Sequence, residues 1–213
     1  MTTTLNLLVG LAMGLNLLAL GSNRLPSLIS AAAAQGVVLG VLPLLLEHEF
    51  AWLVWIMAAG TIAIKGFVIP GLLRRALRAA SIDREVEPLL GFIPSLLLGA
   101  GATIGAMALA GALPLLPEHA GSLLVPASFA TIVAGFVLLV GRMKAIAQVC
   151  GYLILENGIY LFGLLLLHAT PLLVDAGILL DLTVGVFVIG IIVDRIQRAF
   201  DSLDTRKLTI LRE

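Results

Sequence analysis

The chain has 213 residues, of which 60% are hydrophobic and 12% charged, and its formal net charge is zero. A soluble domain of this size carries about 25% charged residues, so most of this surface must use lipid as its solvent. The neutral balance leaves no basic face for nucleic acid. A lone cysteine, Cys150, excludes an internal disulfide or a cysteine-held cluster within the chain.

A helix needs about 20 apolar residues to cross the hydrocarbon core. Seven stretches qualify in chain order: 5–19, 27–46, 50–73, 89–113, 123–140, 148–167 and 172–193. The first is the shortest; Met1 to Asn6 lack the basic flank of a secretory signal peptide, so it reads as a retained helix.

Apart from Lys65, every Lys and Arg falls into one alternating set of connections. These are Arg24; Arg74, Arg75, Arg78 and Arg84; Arg142 and Lys144; and, beyond residue 193, Arg195, Arg198, Arg206, Lys207 and Arg212. The opposite connections carry Glu47, Glu49 and Glu118 with all three histidines, His48, His119 and His168. The positive-inside rule therefore predicts an all-α polytopic membrane bundle of about seven spans, N-terminus outside and C-terminus cytoplasmic. Residues 1–193 read as a single transmembrane domain and 194–213 as a charged cytoplasmic tail.

Small residues let helices approach closely in lipid, where apolar side chains gain nothing by leaving water. Gly36 with Gly40, Gly101 with Gly105, and Gly177 with Gly185 around Asp181 accordingly read as assembly surfaces. Asn16, Gln35, Thr61 and Thr103 read as scattered packing hydrogen bonds. No two histidines stand at metal-ligand spacing, so no metal site is expected. Cys150 reads as a small buried apolar residue. No phosphate loop, dinucleotide fingerprint or nucleophile–base pair is present, and no catalytic residue is assigned.

Three ionisable residues remain inside apolar stretches: Lys65, Glu156 and Asp181. A charge in hydrocarbon costs at least about 2.5–3.5 kcal/mol, so such groups pair, face a wet cavity or carry ions. Lys65 lies about eight residues, or about 12 Å, from the cytoplasmic end of the third stretch. That is far for a snorkelling side chain, and Pro70 is placed to kink the helix beside it. Glu156 is near the middle of the sixth stretch, where burial disfavours its charged form and suits it to take up and release protons. Asn157 offers donors and acceptors next to it, and Tyr160, one turn on, is in reach of a shared hydrogen bond. For Asp181, proton handling and a helix–helix hydrogen bond stay equally open.

The stretch Gly141-Arg-Met-Lys144, then Cys150-Gly-Tyr-Leu-Ile-Leu-Glu-Asn-Gly158, then Asp175-Ala-Gly-Ile-Leu-Leu-Asp181, resembles the hydrogenase-4 component E family. Lys65 followed by Pro70, and the closing Leu203-Asp204 and Leu208-Thr209, resemble it too. That family comprises membrane subunits of complex I-like NiFe hydrogenases. The part from 123 to 193 also resembles the small three-helix subunit of complex I and its counterpart in multisubunit sodium/proton antiporters. In that subunit, membrane-embedded glutamates form part of a line of charge along the midplane. Glu156 stands about one turn later than the first of those glutamates. In place of the second there is only Asp181, more than a turn earlier.

The resemblance implies a non-redox subunit in the inner (cytoplasmic) membrane, beside large antiporter-like subunits. Proton or sodium translocation would run past Lys65, Glu156 and Asp181, with Asn157 and Tyr160 in support. It also implies that the NiFe site and iron–sulfur clusters belong to partner subunits, since this chain lacks their ligands. Two rival readings stay open: a purely structural assembly subunit, and an independent secondary transporter. Against the transporter stand the lack of an inverted repeat and of matching broken helices.

Overall fold

The computed structural model of the protein describes residues 2–46, 52–80, 88–113 and 122–165. In order they form α1 (Thr2–Gly21), α2 (Leu25–Leu46), α3 (Trp52–Thr61), a π-helical segment (Ile62–Val68), α4 (Ile69–Ala80), α5 (Phe92–Ala112), α6 (Leu124–Gly141) and α7 (Ala145–Leu165). Because α3, the π segment and α4 follow without a break, the described residues hold six helices long and apolar enough to cross a membrane. They correspond to the first six predicted stretches. The seventh, with Asp175, Asp181, Gly177 and Gly185, and the charged tail lie outside the described residues.

Two helices run further than hydropathy predicts. α1 starts at Thr2, so the shortest expected stretch becomes a helix of 20 residues. The third span continues past 73 to Ala80 because Leu73 and Leu77, one turn apart, stay buried while Arg74, Arg75 and Arg78 point outward. Hydropathy falls there, but the amphipathic pattern keeps the helix going. Lys65 therefore lies near the middle of the Val54–Arg78 span.

The expected kink at Pro70 takes a specific form. In an α-helix the amide of residue 70 would bond to the Gly66 carbonyl; proline has no N–H, and its ring presses on that carbonyl. Just upstream the backbone widens into the π segment, where the Ile69 amide donates to Ile64 O, five residues back. Lys65 sits within that widened turn.

α2 lies at the centre, against α1, α3, the π segment, α4 and α7, while α6 packs on α1, α5 and α7. Glycines set the closest approaches. A Cβ on Gly151 would come within 2.6 Å of Leu139 N, and one on Gly158 within 2.5 Å of Ile132 N, so α6 and α7 meet almost backbone to backbone. On α2, a Cβ at Gly36 would lie 2.7 Å from Lys65 Cβ. The Gly36–Gly40 pair thus seats the π segment within this chain. Gly101 and Gly105 on α5 meet nothing within 4 Å, so that pair faces outward. The outer surface also shows Leu7, Leu11, Ile93, Leu97, Ile104 and Phe136, as a surface facing lipid or protein requires.

Buried apolar side chains gather into two clusters. One, at the arginine-bearing end, includes Leu20, Ile29, Leu73, Leu138, Cys150 and Ile154. The other, at the opposite end, includes Val9, Leu39, Leu42, Leu124, Ala127 and Leu161. Between the two clusters α1, α2, α6 and α7 each bury at least one polar side chain: Asn16, Gln35, Thr131, and Glu156 with Asn157.

Candidate functional site

Each of five spans contributes to the layer between the apolar clusters. α1 brings Asn16, α2 Gln35, the π segment Lys65, α6 Thr131, and α7 Glu156 with Asn157. Asn16, Gln35, Thr131, Glu156 and Asn157 are all buried, and the Lys65 side chain is only 9% exposed. Unsatisfied polar groups at this depth would be costly, and Lys65, Asn157, Gln35, Asn16 and Thr131 satisfy one another.

Hydrogen bonds link them in one direction. Lys65 Nζ donates to Asn157 Oδ1 at 3.2 Å, and Asn157 Nδ2 donates to Gln35 Oε1 at 3.1 Å. Gln35 Nε2 donates to Asn16 Oδ1 at 2.8 Å and to the Ala12 carbonyl at 3.2 Å. Asn16 Nδ2 donates to Thr131 Oγ1 at 2.8 Å. Interhelical bonds of this kind contribute about 0.6–2 kcal/mol each in a membrane, so the set is a substantial share of what fixes the bundle's register.

At the Lys65 end, Nζ lies 3.6 Å from Glu156 Oε1 and 5.6 Å from the centre of the Tyr160 ring. The ion-pair distance exceeds a hydrogen bond, and among the described residues Glu156 Oε1 is buried with no hydrogen-bond partner. A cavity of about 10 Å³, lined by Ile29, Pro70, Leu73 and Leu153 with Lys65 and Asn157, opens beside the lysine towards the arginine-bearing end. That is the threshold for holding one water. An ammonium and a carboxylate so placed are within reach of proton exchange through a small movement or one intervening water.

Of the predicted site residues, the structure brings Lys65, Glu156, Asn157 and Tyr160 together, and Asp181 lies outside the described residues. Two of them act differently from expectation. Asn157 is turned to Lys65 and Gln35, and Tyr160 offers Lys65 the face of its ring.

Asn16 and Gln35, read from sequence as scattered packing bonds, are the middle of the chain, and Thr131 is its far end. Part of a signal was present: counted from the arginine-bearing ends, Gln35, Thr131 and Glu156 lie roughly 10–11 residues into their helices, about 15–17 Å deep. Asn16, near the end of α1, and Lys65 join the layer only through the way the helices pack. Thr103, by contrast, only back-bonds to Gly99 O in its own helix. Among the described residues no three His, Cys, Asp or Glu side chains gather where a metal ion could sit.

A second buried charge was hidden among the loop cations. The Arg142 side chain, on a residue 1% exposed, donates to Leu20 O at 2.6 Å and stacks 4.4 Å from the Phe92 ring centre. It caps the last turn of α1, where a cation complements the helix dipole, and its stacking on Phe92 ties that end to the start of α5.

Fold and site together define an all-helical membrane protein whose spans are joined at mid-depth by a buried polar layer containing an ion pair. It is 34% identical over 193 residues to Uncharacterized protein Rv0085 of Mycobacterium tuberculosis, covering 89% of this chain and 87% of that protein, and belongs to the same family. A more distant link joins it to Hydrogenase-4 component E of Escherichia coli and of Shigella flexneri. That likeness is 33% identity over 78 residues, 37% of this chain and 36% of those proteins. No family model matches the chain, and no solved structure matches it.

Proposed function

We propose that this chain is a non-redox membrane subunit of a complex I-like assembly, and that Lys65 and Glu156 belong to a path for protons, or for sodium, near the middle of the bilayer. The observation that carries the reading is the Lys65–Glu156 pair, buried at 3.6 Å and tied through Asn157 to side chains from three further helices. Ionisable groups at this depth mark ion paths, because their desolvation is otherwise uncompensated. The link to Hydrogenase-4 component E supports a hydrogenase as the parent complex. In that reading the NiFe site and iron–sulfur clusters reside in partner subunits. Large antiporter-like subunits are the neighbours, Asp181 extends the path, and the arginine-bearing ends face the cytoplasm.

The test is Glu156→Gln in the parent complex in its own membrane. The amide keeps the shape but removes the titratable proton. The complex is expected to assemble and to keep redox turnover with an artificial electron carrier, while ion translocation into vesicles falls at least about tenfold. Normal translocation in an assembled complex would refute the ion-path role. It would leave the structural reading, which the outward-facing Gly101 and Gly105 of α5 favour as a surface for a neighbouring subunit.

A further inference from the structure

The amides of the polar layer all point the same way, and one residue sets that sense. Gln35 Nε2 donates to the Ala12 backbone carbonyl, a group that can only accept. The Gln35 side chain therefore cannot turn round, and its Oε1 faces Asn157. Asn157 in turn must present Nδ2 to Gln35, which leaves Oδ1 facing Lys65. At the other end, the Thr131 hydroxyl can donate or accept and imposes no direction.

An ammonium has three donors and no acceptor, so an oxygen is the partner it needs. A neutral amine keeps two N–H donors and gains one acceptor. It can still donate to Asn157 Oδ1, but that bond loses its charge assistance, and Asn157 could serve the new acceptor only by turning Oδ1 onto Gln35 Oε1. That sets two acceptors face to face in a buried site. We propose that Gln35 is a positioning residue: anchored on Ala12 O, it locks the Asn157 amide so that a carbonyl oxygen is always offered to Lys65, which keeps its ammonium beside Glu156. The proposal rests on the reading of Lys65 as an ion-handling group and adds the element that fixes its charge. An amide chain is not itself a proton wire here, so the layer beyond Asn157 orients and does not conduct.

Among the described residues, the titratable groups facing Lys65 are Glu156 and Tyr160, both on α7. α2 and α3 contain no titratable residue, and Arg74, Arg75 and Arg78 of α4 are exposed. Gly36, one residue beyond Gln35, brings α2 against Lys65 itself.

The full chain in lipid nanodiscs, labelled with ¹⁵N at lysine side chains, allows the Lys65 Nζ signal to be titrated and assigned by its loss in Lys65→Met. No ion flux enters this measurement, so its failure is distinct from failure of the translocation test. In Gln35→Leu, Asn157 becomes free to turn, and the Lys65 midpoint is expected to fall by about one pH unit or more, a tenfold change in protonation ratio. Asn157→Leu is expected to lower it at least as far, and adding Gln35→Leu to Asn157→Leu to shift it no further.

A folded Gln35→Leu protein with the wild-type midpoint would overturn the proposal, as would an equal shift with Asn157 already removed. Gln35→Met, which refills the space with a flexible side chain, serves where the leucine variant does not fold. If neither folds, the wild-type protein decides. Side-chain amide signals of Asn157 and Gln35 that move with the Lys65 midpoint support the linkage, and signals that stay constant through it overturn it.

Discussion

Gly36→Ala tests how closely α2 approaches the lysine-bearing turn. The added Cβ would lie 2.7 Å from Lys65 Cβ, 3.2 Å from its carbonyl carbon and 3.3 Å from its carbonyl oxygen. Ordinary contact begins at 3.4 Å, so the π segment must withdraw by 3.4 − 2.7, about 0.7 Å. These neighbours are backbone, or bonded directly to it, and cannot swing aside like the end of a long side chain.

Overpacking of this kind costs about 1–3 kcal/mol, while replacing a mid-helix glycine by alanine returns about 0.5–1 kcal/mol. Gly14→Ala is the matched comparison, since nothing lies within 4 Å of Gly14. It should show only the gain. The difference in unfolding free energy between the two variants, read by SDS titration in mixed micelles, isolates the steric part and is expected at about 1–3 kcal/mol. Equal stability of the two variants would refute the close seating of the π segment on α2.

Arg142→Ala removes a charged hydrogen bond and a ring contact at the end of α1. The expected loss by the same titration is about 2–4 kcal/mol, and a loss under about 0.5 kcal/mol, the ordinary surface range, would show that the clamp carries no weight. Reporter fusions at His119 and at Leu211 are expected on opposite sides of the membrane, from the separation of basic residues between alternate connections. The same side for both would break the seven-span topology.

Composition and hydropathy alone located the six described spans, though not the full length of the first and third, because an element that crosses lipid must satisfy its own backbone and present about 20 apolar residues in a row. The same constraint made Lys65 and Glu156 legible as candidates, since any charge in such a run stands out. Tertiary structure decided three things that one-dimensional reading could not. It gathered Asn16, Gln35 and Thr131, each unremarkable in its own helix, into one layer with the charged pair, because depth in the bundle is shared between helices far apart in sequence. Helix contacts also sorted the glycines, seating Lys65 against Gly36 but leaving Gly101 and Gly105 facing outward. And it separated Arg142 from the other loop cations, because a charge count sees sign and position, whereas burial depends on which carbonyls and rings the fold brings around the guanidinium.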